Sequence, residues 1–270
     1  ASSLGLLSPQ QKGFVPGVEG CQEQSFLVEA AFEEARDSGD QKRQSIFSAF
    51  LDIQNAFGSL PHRSLFKILR HIGLDTSFCK FVEHLYNDSR VELRVGVTGC
   101  LPFTASAGVR QGDPLSPILF DLAIEPVIRR VLARCRSGFA IGDATLSICA
   151  LADDLALFAG SATNLQSMVS EAESAARAIG FLFRPDKCCV VARKGGKPIT
   201  DVVAKLHHVD IPVLPHDKSV MYLGAPQGLG LPRAELAQAC DSLTRDILLT
   251  RSCLLAPWQK LDALRTFILP

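Results

Sequence analysis

The sequence predicts an α+β fold whose main unit is β–α–β–β–α–β, the split βαβ or ferredoxin-like arrangement, with helices on one face of a sheet. Short apolar runs and longer segments of helical periodicity occur in that order between residues 46 and 200. The chain has 270 residues, of which 47% are hydrophobic, so it is long enough for one large domain or two with a sizeable core.

Helices are predicted where apolar residues recur at i, i+3, i+4 and i+7. Five segments have this spacing: residues 22–36, 63–72, 76–86, 115–134 and 164–179. Two further helical segments follow between residues 232 and 270. The stretch 225–232, which is rich in Gly and Pro, indicates a boundary before them.

Strands are predicted where short runs are rich in apolar, β-branched and aromatic residues. These runs are residues 46–53, 146–152, 155–159 and 188–192, with a further hairpin from 91–97 and 101–105. The second and third runs flank Asp153 and Asp154, so two carboxylates are expected at the tip of a hairpin.

The net charge of zero, from 28 basic and 28 acidic residues, conceals an uneven distribution. Residues 61–150 hold 11 basic against 8 acidic residues, and residues 1–60 hold 4 against 8. Solvated surface charges are the preferred explanation until a motif assigns them a role. No run approaches the roughly 18 apolar residues of a membrane span. The nine cysteines have no C-x-x-C spacing, which fits free thiols better than disulfides or zinc.

Three carboxylates are expected to meet at one end of the predicted sheet. Asp52 ends the first strand, and the topology puts it side by side with Asp153, which is followed by Asp154. Like charges at this range repel unless cations lie between them. Oxygen ligands favour Mg²⁺, and two ions about 4 Å apart suit nucleotidyl transfer. On these residues alone, an ordinary turn at Asp153 and a strand-end cap at Asp52 are preferred.

Six segments follow one another in an order that favours a specific family. They are residues 11–17, 50–57, 108–120, 150–158, 180–187 and 222–224. In this order they resemble the end of the fingers and motifs A to E of reverse transcriptases from non-LTR (LINE-type) retrotransposons. Residues 258–270 resemble the start of the thumb. The resemblance covers nearly the whole chain, and the motif B segment at 108–120 is its most specific part.

The resemblance implies an RNA-directed DNA polymerase with a right-hand fold. Its domains would be partial fingers at 1–45, a ferredoxin-like palm at 46–228 and the truncated start of a helical thumb at 229–270. The chain would be a fragment of a longer polyprotein that also carries an endonuclease. The implied partners are an RNA template, a DNA primer or target DNA, and deoxynucleoside triphosphates, with no membrane. The implied place of action is the nucleus, after synthesis in the cytoplasm.

Catalytic roles follow from the same resemblance, residue by residue. Asp52, Asp153 and Asp154 would be catalytic carboxylates that bind two Mg²⁺ ions, with Mn²⁺ as a substitute. Lys187 would protonate the departing pyrophosphate. A solvated lysine is the plain alternative for Lys187, because nothing but the resemblance distinguishes it.

Nucleotide-binding residues are implied by motifs A and B. Phe57 would exclude the ribose 2′-hydroxyl, since a packed ring offers that group neither space nor a hydrogen bond. The motif B turn would contribute Arg110, Gln111 and Gly112. An ordinary core Phe, and a helix N-terminus with Asp113 as its cap and Pro114 at its first position, are the plain alternatives.

Two positions depart from the family pattern. Leu151 replaces a common aromatic residue, and Gly58 replaces a common Asp. They leave room for an alternative function, a catalytically impaired nucleic-acid-binding relic of the same fold. A maturase or a telomerase-like reverse transcriptase is a further alternative, which the long motif B disfavours.

Overall fold

The structure is a computed structural model that describes residues 5–37, 44–87, 90–91, 94–95, 98–99, 103–110, 112–135, 138–201, 203–230 and 233–268. Its helices are α1 (Gly20–Asp37), α2 (Ala56–Ser59), α3 (His62–His71), α4 (Thr76–Asn87), α5 (Leu115–Arg134), α6 (Ala162–Ile179), α7 (Arg233–Ser252), α8 (Pro257–Ala263) and a final π-helical turn at Leu264–Ile268. None of these helices is long and apolar enough to cross a membrane.

The strands of the described ranges form one main sheet and several short hairpins. They are β1 (Ile46–Leu51), β2 (Arg90–Val91), β3 (Arg94–Val95), β4 (Thr98–Gly99), β5 (Phe103–Thr104), β6 (Phe139–Ile141), β7 (Ala144–Leu146), β8 (Ile148–Leu151), β9 (Asp154–Ala159), β10 (Cys189–Lys194), β11 (Lys197–Pro198), β12 (Lys205–Leu206), β13 (Val209–Asp210), β14 (Val220–Tyr222) and β15 (Ala225–Gln227). The main sheet has the order β11-β10-β1-β9-β8 and is antiparallel throughout.

The order of the main sheet is that of the split βαβ arrangement. β1 lies between β9 and β10, while β8 pairs with β9 and is the last strand on that side. The connection from β1 to β8 includes α5, and the connection from β9 to β10 is α6. The predicted α+β class and β–α–β–β–α–β order are therefore confirmed.

The core extends over both faces of the sheet because β1 is buried on both. Phe47 and Leu51 face a cluster that includes residues of α5 and α6. Ile46 and Phe50 belong to a second cluster, which contains Phe32 of α1. The expectation of helices on one face only is wrong, since an apolar second face needs cover and α1 supplies it.

Most predicted elements are observed with shifts of a few residues. The five helices predicted before residue 180 are all present, and the predicted C-terminal pair corresponds to α7 and α8. The first strand stops at Leu51, so Asp52 follows it. The hairpin β6–β7 was not predicted, because three-residue strands are too short to establish a period. The 91–105 hairpin is seen as the pairs β2–β5 and β3–β4, and parts of it lie outside the described residues.

Backbone hydrogen bonds join the end of α2 to the loop that precedes α5. The amide of Val109 donates to the carbonyl of Phe57 at 2.7 Å, and the amide of Gly108 donates to that of Leu60 at 2.8 Å. Gly108 has φ +91°, and a Cβ there would lie 3.1 Å from the carbonyl oxygen of Gly58. Only glycine satisfies both the left-handed backbone and the close approach.

Gly108→Ala is expected to destabilise the protein by roughly 2 kcal/mol or more, because a Cβ strains the positive φ and crowds the facing loop. The measurement is equilibrium unfolding in urea. Gly160→Ala is the matched control, since its Cβ would find its nearest neighbour at 4.0 Å. Equal losses in the two variants would contradict the role given to Gly108.

Candidate active site

Asp52 is held by its backbone at the end of β1. Its carbonyl accepts a hydrogen bond from the amide of Arg184 at 2.9 Å, and its amide donates to the Cys188 sulfur at 3.4 Å. The next residues continue this pairing, with the amide of Gln54 donating to the carbonyl of Leu182 at 2.8 Å. The segment before β10 therefore fixes the position of the Asp52 backbone, and its side chain is half-buried.

The second pair of carboxylates lies on the tight turn between β8 and β9. Leu151 pairs with Asp154, which leaves Ala152 and Asp153 as a two-residue loop. Leu51 pairs with Leu155 across β1 and β9. One further step of that register puts Asp52 opposite Asp154, and opposed residues of an antiparallel pair present their side chains on the same face. Asp52 and Asp154 therefore lie close together at this end of the sheet, and the charge of Asp52 also acts on Asp153.

A cavity of about 110 Å³ opens beside this pair. Asp52 and Asp154 line it together with Lys187, which follows the turn before β10, and with residues Val220 to Tyr222 of β14. Lys187 is exposed, and its amide donates to the carbonyl of Arg184 at 3.0 Å. Three of the predicted catalytic side chains therefore share one opening, while Asp153 lies next to it on the turn.

The carboxylates interact through their charges. Burial of its carboxyl group, followed by the charges of Asp153 and Asp52, raises the pKa of Asp154 to about 6. The residue as a whole is exposed. Burial and the charge of Asp52 also raise the pKa of Asp153, against a hydrogen bond from its own amide. A cation between them would relieve this repulsion.

No three His, Cys, Asp or Glu side chains come together as a metal-ligand set in the part of the chain that the structure describes. The expected triple set is therefore not preassembled. The donor chemistry nevertheless fits Mg²⁺, which is commonly bound through one or two carboxylates, waters and substrate phosphates rather than by a complete protein cage. Asp52 and Asp154 supply two such carboxylates beside one cavity.

Phe57 lies on α2, away from this cavity. Its ring stacks on Phe120 of α5 with centroids 4.5 Å apart and an interplanar angle of 11°. Phe14 meets it edge-on at 6.5 Å. Phe120 is fully buried, whereas Phe57 is half-buried, so one face of the Phe57 ring is fixed by the core. A side chain that shapes a binding surface needs such rigid support.

The residues predicted in the motif B turn have different structural environments. The guanidinium of Arg110 donates to the carbonyl of Leu85 at 2.5 Å and lies 5.7 Å from the ring centroid of Tyr86. Gly112 has φ +87° and open space around it, and Gln111 lies outside the described residues. Asp113 accepts from the amide of Leu115 at 2.9 Å, but Pro114 occupies the N-cap position of α5, so the cap and the first helical residue each lie one position later than in the plain alternative.

Two buried polar groups near the turn were not predicted as site residues. Asp121 of α5 is 1% exposed, and one of its oxygens has no hydrogen-bond partner. Gln11 is 2% exposed and bonds to Ala152 in the turn. The sequence could have identified Asp121, because it is a carboxylate within a largely apolar helical segment. Gln11 begins the segment 11–17 that resembles the family, but its contact with Ala152 was not predictable because the two residues are 141 positions apart.

Comparisons with known proteins agree on one family. The family described as reverse transcriptase (RNA-dependent DNA polymerase) matches residues 3–226. The chain is 31% identical over 267 residues to the retrovirus-related Pol polyprotein from type-2 retrotransposable element R2DM of Drosophila melanogaster, covering 97% of the chain and 24% of that protein. It is 29% identical over 272 residues to the Pol polyprotein from a type-1 retrotransposable element R2 of Nasonia vitripennis, covering 98% and 26%. The chain thus spans about a quarter of the length of these relatives.

Among solved structures, apo telomerase from Candida tropicalis, truncated from its C-terminal domain, is similar over 65% of this chain and 41% of that chain. The identity is 12% and the TM-score is 0.46. Because this score lies below 0.5, the fold assignment rests on the family match and the observed strand order.

Asp121→Asn is expected to stabilise the protein in a pH-dependent way. Burial, followed by the charges of Glu125 and Asp153, raises the pKa of Asp121 from 3.8 to about 8. The Asp121 carboxyl therefore loses its proton near pH 4 in the unfolded chain but near pH 8 in the folded protein. As the pH rises across that interval, Asp121 increasingly destabilises the folded state. The gain should be about 5 kcal/mol near pH 8 and vanish near pH 4, measured by urea unfolding.

Asp143→Asn is the control for this prediction, because Asp143 is exposed in the β6–β7 turn. It should change the free energy of unfolding little at either pH. A gain for Asp121→Asn that is equal at both pH values would contradict the assigned protonation.

Proposed function

The chain belongs to the reverse transcriptase (RNA-dependent DNA polymerase) family, in the group from non-LTR retrotransposons, and from this we propose that it copies retrotransposon RNA into DNA. The observation that carries the proposal is the shared cavity of Asp52, Asp154 and Lys187 at the end of the main sheet. The RNA template, a DNA primer or target DNA, and deoxynucleoside triphosphates are the proposed partners.

The domain division follows the right-hand fold of the family. We propose partial fingers at 1–45, a palm at 46–228 and the start of a thumb at 229–270. The split βαβ sheet supports the palm, and the helices α7 and α8 after β15 support the start of a thumb. Because the chain spans about a quarter of its relatives' length, we propose that it is part of a longer polyprotein with an endonuclease.

Asp52, Asp153 and Asp154 are the proposed ligands of divalent cations. Two Mg²⁺ ions, or Mn²⁺ in their place, would supply activation of a primer 3′-hydroxyl and charge stabilisation at the departing pyrophosphate. The protein's part is to hold the carboxylates together despite their repulsion. It does so through the β1–β9 register and the backbone bonds of Asp52 to the segment before β10.

Lys187 is the proposed donor of a proton to pyrophosphate. Its side chain lines the same cavity as Asp52 and Asp154. An ammonium beside the departing phosphates stabilises their negative charge and can transfer a proton to them. The turn in which the amide of Lys187 donates to the carbonyl of Arg184 holds the backbone of Lys187 at this cavity.

Phe57, Arg110, Gln111 and Gly112 are the proposed nucleotide-binding residues. The stack of Phe57 on Phe120 supports a rigid wall against a 2′-hydroxyl. The open surface at Gly112 lets a nucleotide approach the backbone closely. The guanidinium of Arg110 contacts α4 through one hydrogen bond to the carbonyl of Leu85 and through the ring of Tyr86. It would give up these two contacts when it binds a phosphate.

We propose that the protein acts in the nucleus, where its target DNA lies, after synthesis in the cytoplasm. The alternative of a catalytically impaired relic is not favoured. The three carboxylates and the cavity lysine are all present, although Gly58 and Leu151 depart from the family pattern.

Asp153→Asn is expected to reduce primer extension on an RNA template by about 10³-fold, since losing a metal-ligand charge costs several kcal/mol in the transition state. The assay uses the chain within its full-length polyprotein, with dNTPs and Mg²⁺. Asp143→Asn, which removes an exposed carboxylate elsewhere, should extend as the wild type does. Equal extension by Asp153→Asn and wild type would disprove the catalytic assignment.

Phe57→Ala is expected to reduce the preference for deoxynucleotides over ribonucleotides by about tenfold or more, because space opens for the 2′-hydroxyl. The preference is measured as the ratio of kcat/KM values for dNTP and rNTP. Phe66→Ala is a control, since Phe66 is another partly buried ring packed against the same core. An unchanged ratio in Phe57→Ala would rule out the assigned role.

A further inference from the structure

The segment before α1 runs between α5 and the edge strand β8. The amide of Lys12 donates to the carbonyl of Ala150 at 3.0 Å, and the amide of Ala150 donates to that of Gln10 at 3.2 Å. Gln11 and Ala150 thus form an isolated parallel bridge at the edge of the main sheet. The bridge lies beside the turn that carries Asp153 and Asp154.

The same segment is anchored to α5 farther upstream. The amide of Ser8 donates to a carboxylate oxygen of Glu125 at 2.9 Å. Arg129 donates to that carboxylate through Nε at 2.7 Å, and its Nη2 donates to the carbonyls of Gly5 and Leu6 at 3.1 and 3.0 Å. The segment is therefore fixed at both ends, which makes it a rigid support for whatever it contacts.

The side chain of Gln11 holds the turn directly. Its Oε1 accepts from the amide of Ala152 at 2.9 Å and from the amide of Gly13 at 2.8 Å. Its Nε2 donates to the carbonyl of Ala152 at 3.3 Å. We call these three bonds the Gln11 clamp. Both backbone polar groups of Ala152 are satisfied by one buried amide, so water is not needed there.

Ala152 needs such support because of its backbone conformation. Its φ is +53°, a left-handed value that is disfavoured for any residue with a Cβ and persists only where the surroundings determine it. The direction of Asp153 and the start of β9 at Asp154 depend on that conformation, since they are the next two residues. Gly13 completes the fit, because a Cβ there would lie 2.6 Å from the amide nitrogen of Ala152.

We infer that Gln11 is a positioning residue that sets the geometry of Asp153 and Asp154 through the Gln11 clamp, an inference that rests on the proposed polymerase function. Gln11 does not line the cavity that Asp52 and Asp154 share. Its effect passes through the backbone of Ala152. Loss of the clamp should therefore act on cation binding and on the rate of the chemical step, while leaving nucleotide affinity nearly unchanged.

The test compares Gln11→Met with Gln24→Met in the full-length polyprotein. Met has about the length of Gln without its hydrogen bonds. Gln24 is an equally buried control, whose amide donates to the carbonyls of Gln10 and Ala150 at 2.9 and 3.4 Å but makes no bond to the turn. The two variants should lose similar thermal stability, so a difference between them reports on the turn.

Gln11→Met is expected to lower kcat for primer extension and to weaken Mn²⁺ binding about tenfold or more, with the KM for dNTP changed less than about twofold. Mn²⁺ binding is measured by electron paramagnetic resonance without substrates. Hydrogen exchange of the Ala152 amide should accelerate in Gln11→Met and stay slow in Gln24→Met.

Values of kcat and Mn²⁺ affinity in a folded Gln11→Met that match Gln24→Met would overturn the inference. Fast exchange of the Ala152 amide in the wild type would overturn the clamp itself. A wild type that extends no primer would instead refute the proposed function, and the catalytic meaning of the clamp with it. The exchange result separates these two failures.

Discussion

The antiparallel register between β1 and β9 is the constraint on which the candidate site depends. It joins two segments about a hundred residues apart and brings Asp52 opposite Asp154 at the end of the sheet. The pairs before it, from Phe47 with Ala159 to Leu51 with Leu155, are buried, so a slip of one residue would exchange the side chains of the two core clusters and disrupt the packing of both. The same packing that stabilises the sheet therefore forces the carboxylates together.

Holding acidic groups at this end of the sheet has an energetic cost that the surrounding structure offsets. Asp121 and Glu125 are both buried on α5. Burial and the negative charges of Glu125 and Asp153 oppose the ionisation of Asp121. Arg129 and the amide of Ser8 compensate Glu125, whereas one oxygen of Asp121 has no partner. A protonated Asp121 is the stable form at neutral pH, which limits the negative charge beneath the turn.

Much of the fold could be predicted because its signals are local. Helical periodicity identified α1, α3, α4, α5 and α6, and short apolar runs identified the four strands of the β–α–β–β–α–β unit. The hairpin at Asp153 was evident from two apolar runs around adjacent carboxylates. The cover of the second sheet face by α1 was not evident, since a strand that is apolar on both faces does not identify the element that packs on it.

The sequence alone predicted the order of the elements from its periodicity, and its resemblance to a family predicted the reverse transcriptase assignment and the carboxylates proposed as metal ligands. Tertiary structure decided which carboxylate faces Asp52, which ring supports Phe57 and what holds Ala152. Each of these depends on atoms that lie far apart along the chain, such as Gln11 and Ala152, and a hydrogen bond of 2.9 Å across 141 residues leaves no pattern in a single sequence. The register and the packing create such contacts only when the chain folds.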